Sequence, residues 1–599
     1  MAETPDPAQK PVDEADSTQI RLGAANQAPA DEALFTQGAM LSDGLVDEEK
    51  VADSENKLLR NSALMAIGST LSRATGLFRD IALAAALGSS LVADAFVLGN
   101  QLPDITYVLI IGGALNAIFV PLLVRRMKDD KDGGKAYTDS LLSLVGTVLV
   151  VLTVVAVLAA PWLIDLYASP DYSSGQLELA VAFARYCLPQ IFFFGLYAML
   201  MQVLNARGHF AAPMFAPIFN NVVAVITYLS FAIVVGSAAV AGGTLTSGQT
   251  AWLGIGTTLG IVAQACVLIP VVLRSGYRFT FSWQWRGMGM RKAGRLAGWT
   301  LGLVAVTQIG FLVATRLATT ANVNAAAVDG TPVGLASYAR AYLVFMIPHG
   351  IITVSLVTAQ LPNLSRKVHA GAMRDAGNDI GHTMRLAAAI VTPIALALVF
   401  GALPLAAILF GWGASSAAQA EQIGVLIAIF MTGLIPFTLY YVLQRGWYAM
   451  ENTRTPFLMA VLLNVAFVAL AIPMFNMSGP GGPQVNALAA AYSLANWILF
   501  IVAWPTLRRA YGYLDVMATV RALLKVLAAA GLVSGLMIAI RLTVLPPFGT
   551  GDSKIDAFWT LIVTAIIVLV SYLLVAWLLR ITEIRELLTW ARGKLPGRR

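Results

Sequence analysis

Apolar stretches of about 20 residues, each long enough to cross roughly 30 Å of hydrocarbon, follow one another along nearly the whole chain. In lipid, every backbone N–H and C=O group must be bonded within the spanning segment, which favours helices. Only 12% of the 599 residues are charged, about half of the roughly 25% found in soluble domains. The pattern therefore predicts an all-α polytopic membrane protein.

Polar breaks divide this sequence into fourteen predicted transmembrane helices. They are 61–87, 93–123, 139–164, 177–204, 213–236, 250–273, 296–319, 334–361, 383–410, 421–444, 455–475, 485–507, 519–541 and 557–580. The loops that follow even-numbered spans all contain Lys or Arg, whereas the loops that follow odd-numbered spans contain almost none. Lys554, before the last span, is the clear exception. The positive-inside rule then predicts that both termini are cytoplasmic.

The N-terminal segment, residues 1–57, differs from the rest. It holds 13 acidic and 4 basic residues and is poor in aromatic residues, which predicts a disordered acidic tail. The net charge is +7 for the whole chain and −9 for this tail, so the remaining residues carry a net charge of +16. The loop pattern accounts for most of that charge as topology, so we expect no nucleic-acid partner. We predict that residues 583–599 form a second, basic cytoplasmic tail.

Several kinds of chemistry lack their sequence signatures. The chain has no G-x-x-x-x-G-K-[ST] loop for ATP. Its two cysteines, Cys187 and Cys266, fall in separate apolar helices, and its four histidines do not have metal-binding spacing. We therefore predict that the protein is not an enzyme and has no cofactor and no metal site.

The sequence repeats itself at an offset of 243 residues. The matched pairs are Arg73 and Arg316, Pro161 and Pro404, Leu196–Tyr197 and Leu439–Tyr440, Pro213 and Pro456, and Asn221 and Asn464. An offset of six helices gives both copies the same orientation, as in transporters with parallel repeats that rock around a central site. We predict two six-helix bundles, 58–280 and 281–510, related by a pseudo-twofold axis. The alternative is that twelve apolar helices merely resemble one another.

The first span, which contains LSRATGLFRD, carries charges that membranes disfavour. At 100° per residue, four polar side chains fit a sector of about 120° on one helix face. They are Ser72, Arg73, Arg79 and Asp80. An arginine facing lipid costs about 2.5–3.5 kcal/mol at mid-helix, so we expect this face to line a cavity. Arg316 would place a second guanidinium in the same cavity from the other half.

The neighbouring spans add charges and helix breaks. The second span carries Asp94, then Pro103 beside Asp104, and the eighth carries Arg340 before Pro348. Proline at membrane depth is tolerated where helices line a cavity. Because the planar guanidinium matches phosphate oxygens, the arginines predict an anionic, phosphorylated substrate. In the alternative interpretation, the arginines extend to the interface or pair with Asp80 or Asp94.

The run SRATGLFRDIALAAALGSSLVADAF, followed by LP and NAIFVPLL, resembles the MurJ (MviN) lipid II flippases of the MOP exporter superfamily. The resemblance covers roughly residues 58–580. It implies two six-helix bundles and two further helices, within 511–582, that form a groove for a polyprenyl tail. It also implies functional positions at Ser72, Arg73, Arg79, Asp80 and Asp94. The family's arginine in the eighth span would fall near Leu343, one turn from Arg340.

Taken together, these features predict a flippase in the bacterial cytoplasmic (inner) membrane. It would move lipid II, the undecaprenyl-pyrophosphate-linked peptidoglycan precursor, from the inner to the outer leaflet by alternating access. Its partners would be this lipid-linked substrate, membrane lipids and cell-wall synthesis proteins. The alternatives are an exporter of another lipid-linked oligosaccharide, a cation-coupled drug antiporter of the same superfamily, and a non-transporting scaffold for cell-wall synthesis.

Overall fold

The computed structural model describes residues 48–107, 134–283, 290–328, 330–543 and 554–586, together with Asp132. Within these residues the chain is helical apart from short connections, and it contains no strand there, which confirms the predicted all-α class. Residues 48–57, assigned to the acidic tail from sequence, continue the first helix because Glu, Lys and Ala are good helix formers. The rest of that tail and residues 587–599 lie outside the described residues.

The first half of the molecule runs to residue 283. Its helices are α1 (Glu48–Leu87), α2 (Leu91–Tyr107), α3 (Lys135–Leu158), α4 (Ala160–Tyr167), α5 (Ser174–Cys187), α6 (Gln190–Ala206), α7 (Ala211–Ala241), α8 (Ser247–Cys266) and α9 (Leu268–Arg274). Pairs of shorter helices that follow each other closely, such as α3 with α4 and α5 with α6, together make one predicted span. Helix α7 breaks at Gly236, whose φ of 74° favours glycine.

The second half begins at residue 290. Its helices are α10 (Met290–Ala327), α11 (Leu335–Pro348), α12 (Val354–His369), α13 (Met373–Phe400), α14 (Ala402–Phe410), α15 (Ala417–Met431), α16 (Leu434–Ala449), α17 (Arg454–Met477) and α18 (Gly482–Tyr511). Two final helices follow, α19 (Val516–Thr543) and α20 (Lys554–Leu578). A π-turn, His349–Thr353, joins α11 to α12, so the helix predicted to be interrupted at Pro348 changes its bonding register there.

The predicted count of fourteen spans is not confirmed. Among the described residues, eleven helices or nearly continuous helix pairs are long and apolar enough to cross a membrane, or up to twelve if α15 and α16, bent by 45°, make one span. The first predicted span is helical within α1, but its charged and hydroxyl residues make it less apolar than the others. The second continues from α2 into residues 108–123, which lie outside the described part of the chain.

The same pairs of spans pack together in both halves. Helix α1 packs on α7 as α10 packs on α17, α2 packs on α5 as α11 packs on α15, and α7 packs on α8 as α17 packs on α18. The caps repeat as well: Ser173 accepts from the amide of Gln176 at the start of α5, and Ser416 accepts from that of Gln419 before α15. Ser173 and Ser416 are 243 positions apart, as are Gln176 and Gln419. The packing is that expected of a parallel repeat.

The last two helices attach to the second half. Both α19 and α20 pack on α13, and α20 also packs on α14. Arg385 of α13 donates to Glu583 at 2.9 Å and to Thr519 at 3.2 Å. Lys554, the exception to the charge pattern, donates to the carbonyls of Ala407 and Gly411, both at 2.6 Å. Its charge therefore caps the C-terminal end of α14, where a cation is favoured.

Candidate functional site

The polar residues of α1 lie partly against α7. Asn221 of α7 donates to the carbonyl of Ser72 at 3.1 Å and to the hydroxyl of Thr75 at 3.0 Å. Arg79 donates to the Asn221 side chain at 3.4 Å and pairs with Asp80 at 3.3 Å. The Arg79 and Asp80 side chains remain 34% and 18% exposed. One polar patch of α1 is thus tied to the fifth span while its charges stay accessible.

Arg73 reaches the other half of the molecule. Its guanidinium Nη1 donates to the carbonyl of Gly350 at 2.9 Å, inside the π-turn between α11 and α12. Such turns occur often at functional sites because they shift the backbone bonding register. A methyl group on Gly350 would lie 3.2 Å from Nη1 of Arg73, so the glycine permits this close approach.

A buried histidine lies beside this contact. His349 is 4% exposed, and its ring packs against the rings of Phe437 and Tyr441 at centroid distances of 4.6 and 4.7 Å. Among the described residues, its Nδ1 has no hydrogen-bond partner. In the sequence, His349 directly follows Pro348 in the eighth predicted span and has no metal-binding spacing. Its place at the cross-half contact cannot be predicted, since nothing in the sequence marks a π-turn.

Arg316, the repeat partner of Arg73, makes the reciprocal kind of contact. Its Nη1 donates to the carbonyl of Leu166 in α4 of the first half, at 3.2 Å. One turn further along α10, Thr320 bonds the hydroxyl of Ser169 at 3.0 Å. Each repeat arginine therefore donates to a main-chain carbonyl of the opposite half, and both guanidinium groups lie at the boundary between the halves.

Asp94 connects the halves at one end of this boundary. Its side chain is fully buried in α2. One carboxylate oxygen accepts from the amide of Ala336 at 2.7 Å, and the other accepts from the amide of Leu335 at 3.1 Å and from Asn322 at 2.8 Å. The carboxylate thus binds the free N–H groups at the start of α11, where a negative charge is favoured.

Arg340 and the loop between α1 and α2 complete this junction. The Ser89 hydroxyl accepts from Arg340 at 3.1 Å and from Ser337 at 2.8 Å. The amide of Ser89 donates to Gln419 at 3.2 Å, and the amide of Ala414 donates to the carbonyl of Ala85 at 2.8 Å. Arg340 is 5% exposed. We call these contacts, with those of Asp94, the loop-end junction, because they lie beside the connections that lack Lys and Arg.

The predicted site residues therefore form separate groups. Asp94 and Arg340 meet at the loop-end junction, Ser72, Arg79 and Asp80 lie on the α1–α7 side, and Arg73 and Arg316 each contact the opposite half. Sequence reasoning missed Ser89, Asn322 and Gly350, which carry no charge and match no motif. Among the described residues, no three His, Cys, Asp or Glu side chains are placed to share a metal ion, and both cysteines are free.

Comparison with solved structures defines the class of fold. The chain matches the inward closed conformation of a lipid II flippase MurJ with a TM-score of 0.65, at 19% identity, over 86% of this chain and 98% of that one. It also matches an inward-facing multidrug resistance MATE transporter of the MOP superfamily with a TM-score of 0.56, at 14% identity, over 73% and 94%. The chain thus has the fold that these two solved structures share.

Sequence comparison identifies the family. The model of the family described as lipid II flippase MurJ matches residues 83–559, so this chain belongs to that family. Similar proteins include the probable lipid II flippase MurJ of Rhizobium tropici, 26% identical over 86% of this chain and 92% of that protein. The lipid II flippase MurJ of Burkholderia cenocepacia is 29% identical over 67% and 76%. The predicted family is confirmed, and the matched range includes Asp94, Arg316 and Arg340.

Proposed function

We propose that this chain is a lipid II flippase that carries the undecaprenyl-pyrophosphate-linked peptidoglycan precursor from the inner to the outer leaflet by alternating access. Membership of the lipid II flippase family over residues 83–559 carries this proposal. The multi-pass helical fold and the reciprocal arginine contacts between the halves support it. The chain would lie in the bacterial cytoplasmic membrane, and the charge pattern of the loops favours cytoplasmic termini.

In this mechanism, Arg73, Arg79 and Arg316 bind the pyrophosphate. Arg73 and Arg316 now donate to neutral carbonyls of Gly350 and Leu166. Phosphate oxygens are the stronger acceptors, because both partners are then charged and the guanidinium can bind in a bidentate manner. Substrate would therefore replace two hydrogen bonds that join the halves, each worth about 1.5–3 kcal/mol for a charged donor. Binding is thereby coupled to movement of the halves.

The loop-end junction would keep the outer side closed while substrate enters from the cytoplasm. Its loops are those without Lys and Arg, which the positive-inside rule assigns to the outer face. In this role Asp94 and Arg340 hold the two halves together, and they would become available to the substrate only when the junction opens. Such a two-state element is what alternating access around a repeat boundary requires.

The remaining parts have roles that follow from the same cycle. Helices α19 and α20 would form the groove for the polyprenyl tail, which stays in lipid while the head group crosses. A negative-inside potential favours outward movement of the anionic head group by about 2.3 kcal/mol per charge per 100 mV. Cell-wall synthesis proteins, which consume the translocated precursor, are the partners we propose at the outer face.

Depletion of the protein in cells tests the function. We expect lipid II to accumulate in the inner leaflet and to return to its normal distribution when the wild-type chain is restored. Arg73→Ala and Arg316→Ala should fail to restore it, whereas Arg509→Ala, which changes an exposed arginine in the last turn of α18, should succeed. A normal lipid II distribution after depletion would contradict the flippase and favour a scaffold or an antiporter.

A further inference from the structure

The segment that leaves α9 towards the second half is fastened to the first half. We call residues 277–283 the aromatic strap. Tyr277 donates its hydroxyl proton to Asp139 of α3 at 2.5 Å, and Lys135 donates to Thr280 at 3.1 Å. The amide of Ser282 donates to the hydroxyl of Ser143 at 2.9 Å. These bonds hold a non-helical segment in a defined position along the first two turns of α3.

Three large aromatic rings of the strap lie on the surface of the described chain. Phe279, Phe281 and Trp283 are 52%, 66% and 53% exposed, and the rings of Phe281 and Trp283 stack with centroids 6.2 Å apart. The bonds from Tyr277, Thr280 and Ser282 to α3 hold the strap in place. No contact with the rest of the described chain covers most of the surface of these three rings.

The position of the strap along α3 indicates its depth in the membrane. Its partners on α3 run from Lys135 to Ser143, which is about 12 Å at 1.5 Å per residue. Helix α3 is a 24-residue candidate span that begins at Lys135, so the strap lies beside the first two turns of a membrane helix. That is the boundary between head groups and acyl chains, where tryptophan is enriched.

Charge near the strap indicates what kind of surface it meets. Arg274, at the end of α9, and Arg278, within the strap, are both exposed. Exposed aromatic rings beside basic side chains are the combination by which peripheral segments bind an anionic lipid surface. If the strap faced water, its three large aromatic rings would be solvated. The hydrogen bonds to α3 hold the strap in place and so prevent it from burying these rings.

We propose that the aromatic strap is a docking surface for the interface of an anionic bilayer. Phe279, Phe281 and Trp283 insert at the acyl boundary, and Arg274 and Arg278 bind lipid phosphates. The chain continues from the strap to α10, the first helix of the second half. The lipid contact therefore fixes the membrane depth at which the two halves are connected. The proposal concerns lipid contact and does not depend on the transported substrate.

Labelling in nanodiscs tests the position of the strap. The full chain with Cys266→Ala, which removes the exposed cysteine, would carry an NBD label at Phe281→Cys or, as a water-exposed reference, at Asp171→Cys. The nanodiscs contain two parts phosphatidylcholine to one part phosphatidylglycerol. We expect a doxyl group near the lipid head group to quench the label at residue 281. Dithionite should reduce this label at least about fivefold more slowly than the label at residue 171, as for an interfacial segment. Equal reduction rates and no lipid quenching would overturn the proposal.

A charge variant tests the anionic component separately. Arg274→Gln with Arg278→Gln should abolish the rise in melting temperature that phosphatidylglycerol gives the wild-type chain, while leaving the melting temperature in phosphatidylcholine unchanged. If phosphatidylglycerol stabilises the variant and wild type equally, these arginines do not bind lipid phosphates. A label at residue 281 that is exposed in nanodiscs but protected in cell membranes would indicate a protein partner and would likewise contradict lipid docking.

Discussion

The substitution Asp94→Asn is the most informative test of the loop-end junction. The carboxylate now accepts three hydrogen bonds, from the amides of Leu335 and Ala336 and from the side chain of Asn322. Asparagine keeps one acceptor oxygen, which can still bind Ala336. Its NH₂ group would then face Leu335 and Asn322, which are themselves donors, so at least one buried donor loses its acceptor.

The number of hydrogen bonds lost and their general strength set the size of the effect. A hydrogen bond to a charged group is worth about 1.5–3 kcal/mol, and a buried donor without an acceptor costs a similar amount. The neutral amide is less costly to bury than a carboxylate, which offsets part of the loss. We therefore expect Asp94→Asn to weaken the closed junction by about 3 kcal/mol, which is roughly a 100-fold shift toward the open junction at 1.36 kcal/mol per factor of ten.

A cysteine at Ser415 reports on the junction. Ser415 is 7% exposed and lies next to the contact between Ala414 and Ala85. In a chain with Cys266→Ala and Ser415→Cys, we expect a membrane-impermeant maleimide to react slowly, and Asp94→Asn to raise the rate about 100-fold if labelling follows the open population.

The matched control is Asp171→Asn, the same chemical change at an exposed loop residue, and it should leave the labelling rate unchanged. If Asp94→Asn is folded and labels as slowly as the unsubstituted chain, the carboxylate does not hold the halves together.

Three further substitutions have defined outcomes. Gly334→Ala would place a methyl group 2.6 Å from Cβ of Asn322 and 2.9 Å from the carbonyl of Ala318, so it should raise Ser415→Cys labelling as Asp94→Asn does; unchanged labelling would contradict this packing. Arg385→Gln breaks the ion pair with Glu583, whose side chain is 5% exposed, and should lower stability by about 3 kcal/mol, as for a broken buried pair, seen as a lower melting temperature in nanodiscs. Lys554→Met should cost about 1 kcal/mol from the lost helix-end charge without changing membrane topology in reporter fusions; inverted topology would show that Lys554 has a role beyond capping.

The helices and the repeat could be predicted because they depend on local or periodic features. Apolar runs mark the spans, and the offset of 243 anticipated the matching helix pairs and caps in both halves. Pro348 marked a real change in the helix, although the π-turn that follows depends on tertiary packing. The first two predicted spans are not among the candidate membrane spans of the described residues, since α1 carries a polar face and the second span extends past residue 107.

The junction could not be predicted because its partners are far apart in sequence. Asp94 binds the amides of residues 335 and 336, which any sequence could supply, so no side-chain signature exists. Arg340 was singled out by its charge, but its bond to Ser89 requires the two halves to be placed together. The repeat pairs Arg73 with Arg316, but their contacts with carbonyls of the opposite half depend on how the two halves pack.

In the proposed mechanism, arginines of both halves bind the diphosphate group of the substrate. A double-mutant cycle on lipid II binding tests this, with the wild-type chain, Arg73→Ala, Arg316→Ala and the double variant compared by native mass spectrometry. We expect each single variant to lose at least about tenfold in affinity and the double variant to lose less than the product of the two, as for residues that share a ligand. Undecaprenol, which has no phosphate, should bind all four chains alike. Unchanged lipid II affinity in both single variants would contradict the account.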